Sequence, residues 1–289
     1  MASTFAKRRR ADHGTREGND AAVRAAHIEL TGASKRFVTP SGTMFTALRD
    51  VDLEISPGTF CAVVGPTGCG KSTTLTMVAG LDHPSAGTVR VGGRAVDGIT
   101  PGTSFMFQVD ALLPWKNVLA NVALGPVFRG VPKRQAQSRA RDWLRRVGLA
   151  GFEDLHPHQL SGGMRKRVSL AQTLVLDPDI LLMDEPFSAL DVQTRQLMEN
   201  ELLALWAEKQ KAVLFITHDL DEAIALSDRV VCLAAGPASH PIGEFAIDLP
   251  RPRDVAEVRA TPRFVELHQA IWAVLREEVL TGYRQQLAV

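Results

Sequence analysis

An α/β fold built on a mainly parallel sheet with helices on both faces is predicted by three observations. Short apolar, β-branched runs recur at Thr59–Val64, Ile180–Met183, Ala212–Thr217 and Arg229–Leu233. Helix-period segments lie among them, the longest at Asn117–Leu149 and Val192 to about Lys209. A glycine-rich stretch, Gly65–Gly70, separates the first of these strands from a helical run that begins at Lys71. Strands covered by helices on both faces read as continuous apolar runs, because no side chain on them meets water.

The remaining elements follow in order. Residues 1–27 are polar, small and charged with no hydrophobic period, which predicts a disordered tail. Order begins near His27, where Ile28-Glu29-Leu30 alternates, and a second strand is predicted over Phe45–Ile55, closed by the turn signal Ser56-Pro57-Gly58. Short strands are expected at Thr88–Val91 and Ser104–Phe107. In the helical region Ala136, Ala140, Trp143, Leu144 and Val147 share one face, with Arg134, Arg141, Arg145 and Arg146 mostly on the other. After the loose stretch Ala234–Ser239 a last strand is expected at Glu244–Leu249, followed by Pro250-Arg251-Pro252-Arg253. A tail helix then places Phe264, His268, Ile271, Trp272, Leu275 and Val279 on one packing stripe.

Composition narrows the function classes. The 289 residues are 45% hydrophobic and 22% charged, an ordinary globular balance. The longest uncharged run, Ile55–Gly70, is broken by glycine and proline and falls short of the roughly 20 apolar residues of a spanning helix. Three cysteines make no disulfide framework and fit a reducing compartment. No apolar segment follows Lys7–Arg10, so neither a secretory nor a twin-arginine signal is read, and a cytoplasmic protein is expected. Residues 1–27 carry six basic and three acidic residues, and the rest of the chain 27 basic and 29 acidic. A slightly acidic body argues against nucleic acid as the partner.

Gly65-Pro66-Thr67-Gly68-Cys69-Gly70-Lys71-Ser72 fits the phosphate-binding pattern G-x-x-x-x-G-K-S in the required strand–loop–helix context. Glycines let the backbone curl so that successive N–H groups face an anion, and the helix N-terminus adds positive potential. Lys71 is expected at the β- and γ-phosphates of a nucleotide, Ser72 at Mg²⁺ and Thr73 at the α-phosphate. Cys69, at a helix N-terminus, is expected to have a lowered thiol pKa and to alkylate readily. The run Asp179-Ile180-Leu181-Leu182-Met183-Asp184-Glu185 ends a buried strand in two carboxylates. Strand alternation points them to opposite sides, which suggests Asp184 for Mg²⁺ and Glu185 for polarising the attacking water. Leu160-Ser161-Gly162-Gly163 opens a further helix and makes a second anion-binding N-terminus. One chain already has its phosphate loop, so this second site is best explained if it serves a nucleotide held by another subunit.

With these motifs in order, residues 27–248 resemble an ATP-binding-cassette (ABC) ATPase. The resemblance implies a P-loop cassette with a mainly parallel sheet core, an antiparallel β subdomain and a helical subdomain at about 109–166, within an ATPase domain 28–248 and before a C-terminal helical extension 249–289. Phe37 stands where an adenine-stacking aromatic is expected, and Gly65–Ser72 resembles the Walker A loop. Gln108 resembles the Q-loop glutamine, implying contact with Mg²⁺ and the attacking water. Ser161, Gly162 and Gly163 resemble the signature. Asp184 and Glu185 resemble the Walker B pair, Ser188-Ala189-Leu190-Asp191 the D-loop, and His218 the switch histidine. Met164 departs from the more frequent Gln and Gln172 from a common Arg, but no catalytic group is missing.

The resemblance extends to a subgroup. Gln108–Trp115 with Asn121-Val122, Leu160–Arg165 and Asp248–Arg253 are similar to nitrate/sulfonate/taurine-type importers, as is a single short C-terminal helix. What this implies is a subunit at the cytoplasmic face of the inner membrane, binding ATP and Mg²⁺. Its partners would be a second cassette in a homodimer, permease subunits with spans of their own and, indirectly, a solute-binding protein. Trp115 and its neighbours are expected to line an exposed apolar groove that receives the permease. Two other functions fit the motifs less well: a soluble ABC protein in DNA repair or translation, and a regulatory module that holds ATP without turnover.

Overall fold

A computed structural model of the chain describes residues 27–287. The expected tail therefore lies outside the described residues except for His27, whose Nε2 stands 3.0 Å from Glu54 Oε1.

Elements β1 (Ile28–Val38) and β2 (Met44–Ile55) form a long antiparallel hairpin. Next come β3 (Phe60–Val64) and, after the glycine-rich loop, α1 (Lys71–Ala79). Strands β4 (Ala86–Val91) and β5 (Arg94–Ala95) join the free edge of β1, giving an antiparallel sheet ordered β2-β1-β4-β5. The chain then enters β6 (Thr103–Met106).

Three α-helices separate β6 from the next strand of its sheet: α2 (Val118–Phe128), α3 (Lys133–Arg146) and α4 (Gly162–Leu174). On α3 the expected stripe is buried at Ala136, Ala140 and Leu144, and continues into buried Val147. Trp143 is only half-buried and lies under the Arg146 guanidinium, 4.9 Å from the ring centre, so its indole covers apolar surface while facing a cation. Buried Asn121 orders the segment before α2: its Oδ1 accepts from Leu113 N at 2.8 Å, and its Nδ2 donates to Leu113 O and Lys116 O.

Then follow β7 (Ile180–Asp184), α5 (Val192–Lys209), β8 (Ala212–Ile216), α6 (Leu220–Leu226), β9 (Arg229–Leu233) and β10 (Pro241–Ala246). The second sheet runs β10-β9-β3-β8-β7-β6, parallel from β9 to β6, with β10 antiparallel at the edge. Every residue of β3, β7 and β8 is buried, which explains their continuous apolar runs. One core packs the helical segment on one face of this sheet; a second lies between its other face and the antiparallel sheet. Because β6, β7, β8 and β3 are parallel neighbours, the segments leaving their C-terminal ends gather at one edge. That edge is where open α/β sheets bind ligands.

The C-terminal region differs from expectation in two ways. The last strand is Pro241–Ala246 rather than Glu244–Leu249. Past Ala246 one more backbone bond, Ile247 N to Asp228 O at 2.9 Å, joins the edge to β9, and the carbonyls of Ile247 and Leu249 then accept from the buried Arg253 guanidinium at 3.3 and 2.9 Å instead of from a further strand. The single short helix is instead two, α7 (Val255–Arg259) and the long α8 (Pro262–Leu287). The buried stripe of α8 is Phe264, Leu267, Ile271 and Leu275. His268 is half-buried near Asp221, and Trp272 and Val279 are exposed. The two stripes share Phe264, Ile271 and Leu275, and the buried face is rotated from the expected one by about 45°, half a residue, which periodicity alone resolves poorly when apolar residues lie on both sides. No described helix is long and apolar enough to cross a membrane.

Candidate functional site

The loop 65–70 leaves β3 and closes onto α1. Gly70 is the N-cap of α1, at φ 95°, and a side chain there would strike Leu48 Cδ2 at 2.6 Å. Gly65 is equally constrained, since a Cβ would stand 2.9 Å from both Cys69 Sγ and Leu233 O. Both positions require glycine: one for conformation and space, the other for space alone. Pro66 is buried, while Thr67, Gly68 and Ser72 face solvent and Thr73 is half-buried. Lys71 is buried and its Nζ donates to Gly65 O at 2.8 Å and Pro66 O at 2.9 Å. No carboxylate pairs with this ammonium among the described residues. Neutral carbonyls solvate it and no ion pair neutralises it at the loop, where an anion would complete it.

Three further strand ends bring their groups to the same edge. Asp184 is buried at the end of β7. Burial pushes its carboxyl above the ordinary value and the neighbouring Glu185 adds to the rise, against the Ser72 hydroxyl and the Lys71 and Lys166 charges. Glu185 does not continue the strand: its φ is 45° and its N–H donates to Ile216 O at 2.9 Å. A left-handed residue that is not glycine is strained by roughly 1–3 kcal/mol and persists where its surroundings hold it. The two carboxylates are thus set apart by this kink rather than by the strand alternation expected. It turns Glu185 Oε2 to 3.1 Å from Gln108 Nε2, beyond β6, and 3.2 Å from His218 Nδ1, beyond β8.

Other expected residues fall into two groups. Phe37 on β1 is a partly exposed ring with Lys35 Nζ 5.1 Å from its centre, paired in register with Phe45, three residues before Leu48 on β2. Ser161 and Gly163 are not hydrogen-bonded to the 65–73 segment among the described residues. Ser161 Oγ caps α4 by accepting from Met164 N at 3.2 Å, and Asp191 caps α5 by accepting from Thr194 N at 3.0 Å. A Cβ at Gly163 would meet Leu190 Cδ2 at 3.5 Å, so the signature turn packs on the D-loop segment. Gly162 is half-buried beside it.

Two residues were not anticipated. Lys166 is 2% exposed on α4, and its Nζ donates to Gln108 O at 2.7 Å and Phe107 O at 3.2 Å. Burial pulls its ammonium below the usual lysine range. Arg165 pairs with Asp110 at 3.1 Å. Together they tie the segment holding Gln108 to the helix opened by Ser161. A lysine on the buried side of an amphipathic helix was the sequence signal for the first; the second had none, as Asp110 reads as an ordinary loop residue.

Cys69 overturns an expectation. Its side chain has no exposure, and burial pushes the thiol pKa up despite the nearby Lys71. The helix dipole lowers a thiol pKa only where the thiolate is solvated, and here Sγ turns inward beneath Gly65. Native protein at neutral pH is therefore expected to resist maleimide at Cys69 for as long as it stays folded. Mass spectrometry of the peptide reads this directly, and rapid labelling would contradict the buried position.

The donor set suits Mg²⁺ shared with a nucleotide. Ser72, Asp184 and Gln108 offer only oxygen ligands, the preference of a hard cation. No cluster of three or more His, Cys, Asp or Glu residues fit to hold a metal occurs among the described residues. A buried carboxyl pushed upward is also a site that a divalent charge would relieve.

Comparisons with known proteins identify the family. The ABC transporter family profile matches residues 48–188. The chain is 46% identical over 245 residues to an uncharacterized ABC transporter ATP-binding protein, MJ0412, of Methanocaldococcus jannaschii, covering 84% of this chain and 90% of that one. It is 41% identical over 252 residues to the taurine import ATP-binding protein TauB of Rhizobium johnstonii, covering 86% and 96%. The nitrate import ATP-binding protein NrtC of Synechococcus elongatus is 40% identical over 245 residues, 84% of this chain but 37% of that longer protein. Among solved structures, the cassette MJ0796 in a dimeric post-hydrolysis state with ADP and Pi aligns with a TM-score of 0.71 at 29% identity, covering 77% of this chain and all of that one. The chain belongs to the ATP-binding subunits of ABC transporters, in the subgroup of nitrate- and taurine-type import ATPases, and is an enzyme that couples ATP hydrolysis to transport.

Proposed function

We propose that this chain energises uptake of a small solute of the nitrate, sulfonate, taurine or bicarbonate kind, working as a pair of copies on the cytoplasmic face of the inner membrane. The observation that carries the hydrolytic part is Glu185, held between Gln108 and His218 at the edge where Lys71, Ser72 and Asp184 also lie. In this proposal residues 65–73 bind the phosphates of ATP and Phe37 stacks on adenine. Ser72, Asp184 and Gln108 hold Mg²⁺, which when bound offsets charge on the phosphate oxygens. Gln108 orients the attacking water, Glu185 accepts its proton, and His218 donates to the γ-phosphate. Ser161, Gly162, Gly163 and Asp191 act on the nucleotide of the other copy. Import-type relatives support the solute class.

The contact with a permease rests on exposed apolar side chains in residues 109–128. Trp115 is 72% exposed and Phe128 82%, with Val109 also open. Large aromatic groups of this kind are costly in water unless a partner covers them. A tagged chain expressed in its host should copurify with a membrane-spanning permease, and a solute-binding protein should stimulate its ATPase in vesicles. Trp115→Arg should break the copurification and leave the basal ATPase within about twofold, a change of under 0.5 kcal/mol. A chain that purified with nucleic acid or ribosomes and no membrane protein would sink the transport assignment for this subunit.

A further inference from the structure

We infer that the last turns of α8 position the phosphate loop, so that the C-terminal helix sets nucleotide affinity. The inference rests on the proposal that residues 65–73 hold the nucleotide phosphates. Helix α8 reaches that loop at two points. Glu278 Oε2 accepts a hydrogen bond from Ala235 N at 2.7 Å. The next residue, Gly236, lies so close to the loop that a Cβ there would stand 3.2 Å from Gly68 O and 3.9 Å from Cys69 Cα. One turn beyond Glu278, buried Gly282 faces Pro66, and a Cβ there would stand 3.1 Å from Pro66 Cβ. A side chain at Gly282 would have to push Pro66 away by a few tenths of an ångström, so the helix backbone lies directly against the loop.

The same segment is anchored on its other side. Ala238 N donates to Thr46 O at 2.7 Å, Ser239 N to Ala47 O at 3.1 Å, and Arg49 N to Ser239 O at 2.9 Å. These β2 residues flank Leu48, whose side chain blocks any side chain at Gly70. Ser239 Oγ closes the segment by donating to Ala234 O at 2.7 Å. The loop is therefore bracketed by β2 behind Gly70, by 234–239 along Gly68, and by α8 on Pro66.

A glycine-rich loop whose N–H groups must converge on an anion loses conformational entropy on binding unless it is already ordered. The bracket supplies that order in advance. Glu278 and Gly282 are thus positioning residues, acting through Ala235–Gly236 and Pro66. The groups proposed for the hydrolytic step leave β6, β7 and β8 instead. Loss of the α8 contacts should weaken binding and spare turnover at saturation.

The test uses the full chain with Glu278→Ala, Gly282→Leu and the conservative Glu278→Gln, which keeps an acceptor. Fluorescent mant-ATP with Mg²⁺ reports affinity, steady-state kinetics separate KM from kcat, and maleimide labelling of Cys69 without nucleotide reports loop opening. Glu278→Ala and Gly282→Leu should weaken mant-ATP binding by about threefold or more, leave kcat within about twofold and speed Cys69 labelling, while Glu278→Gln stays near the unaltered chain. If Gly282→Leu does not fold, Glu278→Ala against Glu278→Gln carries the comparison. Unchanged affinity and labelling in Glu278→Ala would overturn the inference, and so would tighter binding, which would make α8 a restraint. Lys71→Ala separates the two levels: if it binds mant-ATP normally, the nucleotide assignment of the loop fails; if it loses binding while Glu278→Ala does not, only the role of α8 fails.

Discussion

Glu185→Gln is expected to bind ATP about as tightly as the unaltered chain and to hydrolyse it about 10²–10⁴-fold more slowly, the usual span for removing a general base. That range corresponds to about 3–5 kcal/mol of barrier. The substitution is informative because it is nearly isosteric. Glutamine can occupy the left-handed backbone at φ 45° as glutamate does, and its amide oxygen can still accept from Gln108 Nε2. What it cannot do is take a proton from water. A loss of rate with binding intact therefore isolates the chemical step from the fold. Lys71→Ala marks the contrast, since it removes the one cation inside the phosphate loop and should weaken binding itself. Rapid-quench measurement of single turnovers, with nucleotide binding by equilibrium dialysis, checks both. Native-rate hydrolysis by Glu185→Gln would remove Glu185 from the chemical step.

The second large effect concerns the pairing of two chains. Ser161→Arg should leave ATP binding to the single chain within about threefold, well under the roughly 1.4 kcal/mol of a tenfold change, yet abolish ATP-driven dimerisation and turnover. The structure supplies the reason. Ser161 is exposed, and its contacts are to its own helix rather than to residues 65–73. Arginine there places a bulky cation on the face proposed to approach a second copy. It also removes an N-cap, at a cost of about 1 kcal/mol to α4, so Ser161→Ala serves as the control that loses the cap alone. Mixing Ser161→Arg with Lys71→Ala chains leaves one intact composite site, from the phosphate loop of the first and the Ser161–Gly163 turn of the second. Some nucleotide-dependent pairing should return. Sedimentation with Mg-ATP, in a Glu185→Gln background that slows reopening, would detect it. Loss of ATP binding by monomeric Ser161→Arg would instead assign the turn to its own chain's nucleotide.

Much of this was legible in the sequence because the chemistry is written in contiguous residues. A phosphate loop needs its glycines, lysine and serine within eight positions, between a strand and a helix, and Gly65–Ser72 has them. A buried strand ending in carboxylates is equally local, and so Asp184 and Glu185 stood out, as did the continuous apolar runs of β3, β7 and β8. The parallel order of those strands then made the meeting of their C-terminal ends a matter of topology.

What the tertiary structure alone decided depends on partners distant in the chain. Strand alternation predicted opposite sides for Asp184 and Glu185, but the hydrogen bond from Glu185 N to Ile216 O, on another strand, holds a kink that no propensity announces. The helix dipole predicted a reactive Cys69, but burial beneath Gly65 outweighs it, and burial is set by whatever packs above. The tail helix was expected from its period, yet which side faces inward follows from the sheet and helices it meets, and so does its approach to Pro66. Lys166 reaches Gln108 O across 58 residues of sequence. A motif identifies the groups that can act on a phosphate; the free energy of packing against remote segments decides which of them are charged, exposed and aimed.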